Sequence, residues 1–207
     1  MNLCYKIFDK KIYAEQFMNG KIYFSRAGRF SNIKDDQRNY SEGMVYVFNY
    51  PIFIGNEKFD IPYKIGFQEI DRVPIFCCTS IDACNVILKD GRLTCDISPK
   101  NKELGKHVVV FDMDELVNSL LPKLKEKGYG VLGKKITYYD FEKIKDNSWF
   151  LTIKNQYDNL FVHDVKHKDQ NEFRLVLTHK LLDKDLLNTV IDVGRWGTVN
   201  RYMEIKE

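Results

Sequence analysis

The segment Lys168–Leu177 carries the side chains of this chain that are best suited to chemistry. Its pattern predicts a β-strand in which Gln170, Glu172 and Arg174 share one face, because side chains alternate along a strand. Phe173, Leu175 and Leu177 are predicted on the other face, which should point to the core. Burying unpaired charge is costly, so a row of amide, carboxylate and guanidinium indicates either a functional site or an internal ion-pair network.

Polar residues also end two other predicted strands. Arg26 ends the strand predicted for Lys21–Arg26, and Cys78, Thr79 and Ser80 end an apolar strand in the middle of the chain. A guanidinium offers bidentate contacts to a pyrophosphate, and hydroxyls can line a polar pocket. The three fragments are therefore candidates for one binding site.

The order Arg…Cys-Thr-Ser…Gln-x-Glu resembles the layout of the R-S-E class of mono-ADP-ribosyltransferases, which includes the clostridial Rho-modifying exoenzymes. The resemblance implies NAD as a substrate, with Arg26 on its phosphates and Thr79 and Ser80 bracing the nicotinamide pocket. It implies that Glu172 stabilises the oxocarbenium-like transition state and that Gln170 orients the acceptor. A preplaced carboxylate suits this reaction because positive charge develops on the ribose as nicotinamide leaves.

The chain departs from that layout at three points. Cys78 stands where the family has the first serine, and a thiol is a weaker hydrogen-bond donor than a hydroxyl. Arg29 competes with Arg26 for the phosphate role. The stretch between the middle motif and Glu172 is longer than in the compact exoenzymes, and the insertion Ile81–Asp169 is predicted to contain a strand and a helix of its own.

A second resemblance covers more of the chain. The opening Gly20–Ser25, the polar segment after it, and the late residues Lys168, Glu172 and Arg174 are similar to a large group of uncharacterised bacterial and phage proteins. Members of that group are often found among mobile elements and phage-defence genes. The resemblance implies a role in phage–host conflict but no particular activity.

Each candidate residue also has a structural interpretation. Glu172 and Arg174 can pair with each other or with Lys168, as polar residues on one strand face do. Thr79 and Ser80 can cap a following turn, and Arg26 can belong to a solvated turn.

One tryptophan and two histidines in the C-terminal half could belong to other kinds of binding site. Trp196, beside Arg195, can stack on a base or ribose, or can anchor the last strand. His163 and His167 have the spacing of a metal pair on a helix, although their neighbours indicate a loop. We therefore expect no metal cofactor.

Composition bounds the class of protein. The net charge of +3 over 207 residues offers no concentrated basic face, which disfavours a dedicated nucleic-acid binder or nuclease. The five cysteines, an odd number, include no C-x-x-C pair, which favours a reducing cytoplasm over secretion. No stretch approaches the roughly 20 apolar residues of a membrane span, and no signal peptide is expected.

The order of predicted elements favours an α+β fold. Helices are predicted at Ile12–Met18 and, after a cap at Asp112 or Asp114, through Leu121. Strands outnumber helices, which argues against a doubly wound parallel sheet. We expect one domain over residues 1–207, with a mostly antiparallel sheet, continuous or split, and a few short helices.

Two functional hypotheses remain open from the sequence. The first is an NAD-using ADP-ribosyltransferase or NAD glycohydrolase that acts as a toxin, effector or counter-defence factor on a protein or nucleic-acid acceptor. The second is a non-catalytic module that binds a nucleotide-derived signal or a protein partner, with a pocket built from Arg26, Arg29, Arg174 and Trp196. A Glu172-dependent release of nicotinamide distinguishes the two.

Overall fold

The computed structural model describes residues 2–28, 44–66, 72–83, 85–140, 157–178, 188–198 and 200–205. The strands are β1 (Leu3–Phe8), β2 (Lys21–Arg26), β3 (Met44–Ile54), β4 (Glu57–Gly66), β5 (Pro74–Ser80), β6 (Val86–Lys89), β7 (Arg92–Cys95), β8 (His107–Asp112), β9 (Gly130–Lys135), β10 (Thr137–Tyr139), β11 (Val162–Asp164), β12 (Glu172–Thr178), β13 (Asn188–Asp192) and β14 (Arg201–Glu204). The α-helices are α1 (Lys11–Met18), α2 (Pro99–Lys102) and α3 (Met113–Glu126), and 3-10 helices cover Asp158–Phe161 and Val165–Gln170. These elements confirm the predicted α+β class.

The main sheet is forked at β5. Strand β12 pairs antiparallel along one edge of β5. The other edge of β5 pairs with β2 at the beginning of β5 and with β1 at its end. Beyond the fork, β13 extends the β2 branch, and β8 and β14 extend the β1 branch. The sheet is thus antiparallel and split, as the sequence allowed.

One face of the sheet is covered by α1 and α3. The core there is aromatic: the Phe17 ring lies 5.7 Å from the ring of Phe76 and 5.2 Å from that of Phe111. Helix α3 contributes a buried stripe of leucines at helical spacing, and it begins where the Asp112 carboxylate accepts a hydrogen bond from the backbone N–H of Asp114. The predicted helix is confirmed; it continues past Leu121 to Glu126, and Asp112 is the cap of the two predicted.

The opposite face carries a smaller apolar cluster. Ile75 and Val176 of the sheet pack there with Leu160 and Phe161 of the first 3-10 helix. The short parallel pair of β10 and β11 lies beside this cluster. This second face also holds most of the buried polar side chains described below.

The predicted strand around Glu172 begins later than the pattern indicated. Gln170 ends the second 3-10 helix, so it does not share a strand face with Glu172 and Arg174. Asn171 causes the break, because its backbone lies in the left-handed region at φ 44°, where asparagine is better tolerated than most residues. The apolar residues Phe173, Leu175 and Leu177 face the aromatic core as predicted.

Trp196 is buried rather than exposed. Its side chain is 4% exposed, its Nε1 donates to the Phe17 carbonyl oxygen at 3.0 Å, and its ring meets Phe17 edge-on. The residue therefore anchors the C-terminal segment to α1 and is not available to stack on a ligand.

The predicted turn at Gly20 lies close by, and its φ of 88° and the nearby Gly194 carbonyl leave no room for a side chain.

The structure also contains a hairpin that the sequence reading missed. Strands β6 and β7 form a two-stranded sheet joined at Asp90 and Gly91. An Asp-Gly pair between two short apolar runs is the signal that could have revealed it.

Within the described part of the chain, no helix is both long enough and apolar enough to cross a membrane.

Replacement of Trp196 tests the anchoring role. We expect Trp196→Phe to lower the free energy of unfolding by about 1 kcal/mol, because the hydrogen bond to Phe17 is lost while most of the packing stays. Trp196→Ala should cost about 3–5 kcal/mol through the cavity it leaves. Urea denaturation measures both, and equal small losses would contradict the buried position.

Candidate functional site

Three side chains on neighbouring strands form a row across the second face of the sheet. Tyr5 of β1 lies directly opposite Thr79 of β5, and Thr79 lies directly opposite Glu172 of β12. Directly opposed residues of antiparallel strands project from the same face. We call Tyr5, Thr79 and Glu172 the polar row; it places two hydroxyls and one carboxylate side by side.

Glu172 is held by a bidentate ion pair with Arg174. The Arg174 Nε donates to Glu172 Oε1 at 2.7 Å, and its Nη2 donates to Oε2 at 3.1 Å. The remaining Arg174 nitrogen, Nη1, donates to the Leu160 carbonyl oxygen at 2.9 Å. Arg174 is 1% exposed and Glu172 is 9% exposed, so the pair is buried. The two carboxylate oxygens and the Leu160 carbonyl oxygen hold the guanidinium in one orientation.

The ion pair keeps the carboxylate charged. Burial by itself would raise the pKa of Glu172, but the adjacent Arg174 guanidinium outweighs burial and lowers that pKa to about 2. The group is therefore an anion at physiological pH. A second contact fixes the start of the strand, because the backbone N–H of Glu172 donates to the Tyr138 hydroxyl at 2.9 Å.

A carboxamide lies across the two hydroxyls of the polar row. Asn101 of α2 is 2% exposed, and its Nδ2 donates to the Tyr5 hydroxyl at 2.9 Å and to Thr79 Oγ1 at 3.3 Å. Burial raises the pKa of Tyr5, so its hydroxyl keeps its proton and remains a donor. The row thus holds a primary amide between two hydroxyl groups.

Lys100 joins helix α2 to the second 3-10 helix. Lys100 of α2 donates to the Lys166 carbonyl oxygen at 2.5 Å and lies 3.7 Å from the Asp169 carboxylate. Both partners belong to the second 3-10 helix. Helix α2, which contacts the row through Asn101, is therefore attached to that 3-10 helix by contacts that solvent can reach.

Two buried histidines lie beside the ion pair. The His163 and His167 rings are 4.5 Å apart between centroids and meet edge-on. His163 Nδ1 accepts a hydrogen bond from the backbone N–H of Asp164 at 3.1 Å, whereas neither ring nitrogen of His167 has a hydrogen-bond partner among the described residues. Burial, and then the charge of Arg174, lower the pKa of His163 to about 3, so both rings are neutral.

Asn171 fixes the end of β5 against the start of β12. Its Nδ2 donates to the Ser80 carbonyl oxygen and to Asp82 Oδ1, both at 3.0 Å. Its own carbonyl oxygen accepts the backbone N–H of Ser80 at 2.9 Å. Asp82 is in turn paired with Lys135 of β9. The left-handed turn at Asn171 therefore sets the register that places Glu172 opposite Thr79.

The register separates the residues that the sequence grouped together. Arg26 lies opposite Pro74, five positions before Thr79 along β5, which is about 17 Å at 3.3 Å per residue. Strand alternation also places Arg26, Cys78 and Ser80 on the aromatic-core face, opposite to the polar row. Cys78 is buried in that core, and burial raises the pKa of its thiol.

Thr79, Glu172 and Arg174 are thus the predicted site residues that the structure brings together on one face. Gln170 lies outside the strand, and Arg29 lies outside the described residues. Sequence reading missed Tyr5 and Asn101. A tyrosine in the alternating strand Leu3–Phe8 was the available signal for Tyr5, but Asn101 reaches the row only through tertiary structure.

The arrangement does not form a metal centre among the described residues. No group of three or more histidine, cysteine, aspartate or glutamate side chains is placed to hold an ion in that part of the chain. The histidine pair at 163 and 167 lies on a strand and a 3-10 helix instead of one α-helix.

Comparison of the chain with protein-family models, with curated proteins and with solved structures found no match. The chemistry of the polar row is therefore the basis for the functional conclusion.

Acid should destabilise the fold through the histidines. His163 has a pKa of about 3 in the folded protein against an ordinary value of 6.5, so the unfolded chain binds more protons between these two values. Stability should fall as pH decreases from about 6.5, by up to ~1.4 kcal/mol per pH unit for this group. Urea denaturation at pH 7 and pH 5 should show a smaller loss for His163→Gln than for the wild type.

The charged pair should tolerate joint replacement better than loss of one partner. We expect Arg174→Met to cost about 3–5 kcal/mol, because Glu172 would remain buried without its countercharge. The double variant Glu172→Leu/Arg174→Met removes both charges and should recover much of that loss. Equal unfolding free energies for the single and double variants would contradict the ion pair as the main support of Glu172.

Proposed function

We propose that this protein is an NAD-using, ADP-ribosyltransferase-like enzyme whose site is the polar row of Tyr5, Thr79 and Glu172. The supporting observation is the placement of a charged carboxylate next to two hydroxyls that already bind a primary carboxamide. Nicotinamide carries the same carboxamide group. This shared group supports the proposal, because the hydroxyls that accept from the Asn101 amide could accept from the nicotinamide amide in the same way.

In this proposal the nicotinamide carboxamide takes the place of Asn101. The substrate amide would donate to the Tyr5 and Thr79 hydroxyls, and those hydroxyls keep protons with which to bind its carbonyl oxygen. Helix α2 must move to admit the substrate. Its attachment to the second 3-10 helix through Lys100 is partly exposed, so breaking it costs little compared with opening the core.

Glu172 supplies the electrostatic part of the reaction. The bond between the ribose carbon and the nicotinamide nitrogen breaks, its electron pair leaves with neutral nicotinamide, and positive charge develops on the ribose. A fixed carboxylate beside that carbon stabilises the transition state more than the ground state. An acceptor nucleophile or water then adds to the ribose carbon and loses a proton.

Arg174 acts as a positioning residue in this scheme. Its two hydrogen bonds hold both Glu172 oxygens, and its charge keeps the carboxylate ionised. Arg26 has no part in the proposed site, because the register places it on the other face of the sheet. The similarity to phage and mobile-element proteins supports a cytoplasmic role in phage–host conflict, as a toxin, effector or counter-defence factor.

A second candidate is a non-catalytic module that binds a nucleotide-derived signal. The observation that favours it is the bidentate pair itself, because both Glu172 oxygens are already engaged by a buried arginine. In that case the hydroxyls of Tyr5 and Thr79 would still contact the ligand, and no residue of the row would be required for turnover.

Nicotinamide release from NAD tests the proposal. We expect purified protein, with cell lysate as a source of acceptors, to release nicotinamide, and Glu172→Gln to abolish the release while circular dichroism shows a retained fold. Tyr5→Phe and Thr79→Val should each reduce the rate by about tenfold, the effect of one lost hydrogen bond of ~1.4 kcal/mol.

Arg26→Gln is the matched control, since this residue lies off the row and should leave the rate unchanged. If Glu172→Gln does not fold, the Tyr5 and Thr79 variants decide the question. Absence of release by the wild type, together with NAD or nicotinamide protection of the fold against heat, would establish the binding module instead.

A further inference from the structure

The β6–β7 hairpin projects an apolar pair of side chains into solvent. Leu88 and Leu93 lie directly opposite each other, and they are 72% and 78% exposed. Asp90 and Gly91, both at positive φ, form the tight turn that joins the strands. Soluble proteins expose single apolar residues commonly, but a matched pair on an isolated hairpin indicates a surface that a partner covers.

The two faces of the hairpin differ in chemistry. Alternation places the leucine pair on one face and the pair of Lys89 and Arg92 on the other, close to the turn. Like charges directly opposite each other are unfavourable on a sheet. Lys89 and Arg92 flank Asp90 and Gly91 of the turn, so residues 89–92 carry a net charge of +1.

Both outer edges of the hairpin lack a partner strand among the described residues. Strands β6 and β7 pair with each other and with no other described strand. Each edge therefore offers backbone N–H and C=O groups to an incoming extended segment. A two-stranded hairpin alone is marginally stable, and a third strand would stabilise it.

The base of the hairpin is attached to the end of β5, next to the polar row. The backbone N–H of Val86 donates to the Asp82 carbonyl oxygen at 3.0 Å, and Asn85 Nδ2 donates to the Ser80 carbonyl oxygen at 2.6 Å. Asp82 is held by Asn171, the residue before Glu172. The base of the hairpin therefore adjoins the end of β5 and the start of β12, which carry Thr79 and Glu172.

We propose that the hairpin binds an extended segment of a partner protein in which acidic and apolar residues alternate. The segment adds a strand to a free edge, its apolar side chains cover Leu88 and Leu93, and its carboxylates meet Lys89 and Arg92. This docking step does not depend on the proposed reaction. The bound protein would also be the acceptor of ADP-ribose, and that part rests on the proposed function.

The structure favours a protein segment over other occupants. A lipid surface can accept leucines and cations, but it leaves the backbone groups of the edge without hydrogen-bond partners. A nucleic acid would match Lys89 and Arg92 and leave the leucine pair uncovered. A second copy of this chain would bring its own Lys89 and Arg92 to the same place and add to the repulsion.

The probe is a short fluorescent peptide of alternating valine and glutamate, measured by fluorescence anisotropy. A peptide of the same composition with its glutamates in one block is the control for alternation. We expect the alternating peptide to bind the wild type more tightly than the block peptide. Leu88→Ser/Leu93→Ser should weaken binding by about tenfold or more without changing thermal stability, since both side chains are exposed.

A charge exchange completes the test. Lys89→Glu/Arg92→Glu should lose the valine–glutamate peptide and bind the corresponding valine–lysine peptide. Peptide binding by the wild type without NAD, at equal affinity with NAD present, separates docking from catalysis. Equal binding of the alternating and block peptides would overturn the proposal. Leucine-dependent binding to phosphatidylserine vesicles or to single-stranded DNA, in preference to the peptide, would also overturn it. A dimer that becomes a monomer in Leu88→Ser/Leu93→Ser would overturn it as well.

Discussion

The buried ion pair between Glu172 and Arg174 is the constraint on which this face of the molecule depends. A carboxylate inside a protein is stable as an anion only beside a countercharge and hydrogen-bond donors, and Arg174 supplies both. The guanidinium also binds the Leu160 carbonyl oxygen, so the pair ties β12 to the first 3-10 helix. The neutral state of His163 follows from the same burial and the same positive charge. Stability and site chemistry therefore share one interaction.

The fork at β5 explains how that interaction meets other polar groups. Because β1 and β12 flank the end of β5, Tyr5, Thr79 and Glu172 come into line although they are far apart in sequence. The other branch of the fork, β2, joins β5 only at its beginning. A residue at the end of β2 therefore lies at the other end of the strand from the row. The split sheet gives one polar site and one aromatic core on opposite faces.

The segments between strands give the site its surroundings. Helix α2 brings a carboxamide to two hydroxyls, the second 3-10 helix adds a buried imidazole, and the β6–β7 hairpin rises from the end of β5 beside them. The described parts of the stretch Ile81–Asp169 thus contribute a direct contact to the polar row through Asn101, so this stretch is more than a spacer between the middle motif and Glu172.

Local pattern was enough to predict the α+β class, the helix at Ile12–Met18 to within one residue, a cap at Asp112 or Asp114, and the shared face of Glu172 and Arg174. Each of these depends on a period of two or 3.6 residues or on one capping side chain. Pattern failed at Gln170, where the left-handed backbone of Asn171 ends the strand. It left two roles open for Trp196, and the contacts with distant α1 decide for the anchoring role. Strand register was decided only by the tertiary structure. A shift of one residue reverses the face of a side chain, and this is why Thr79 joins Glu172 while Cys78, Ser80 and Arg26 face the opposite core.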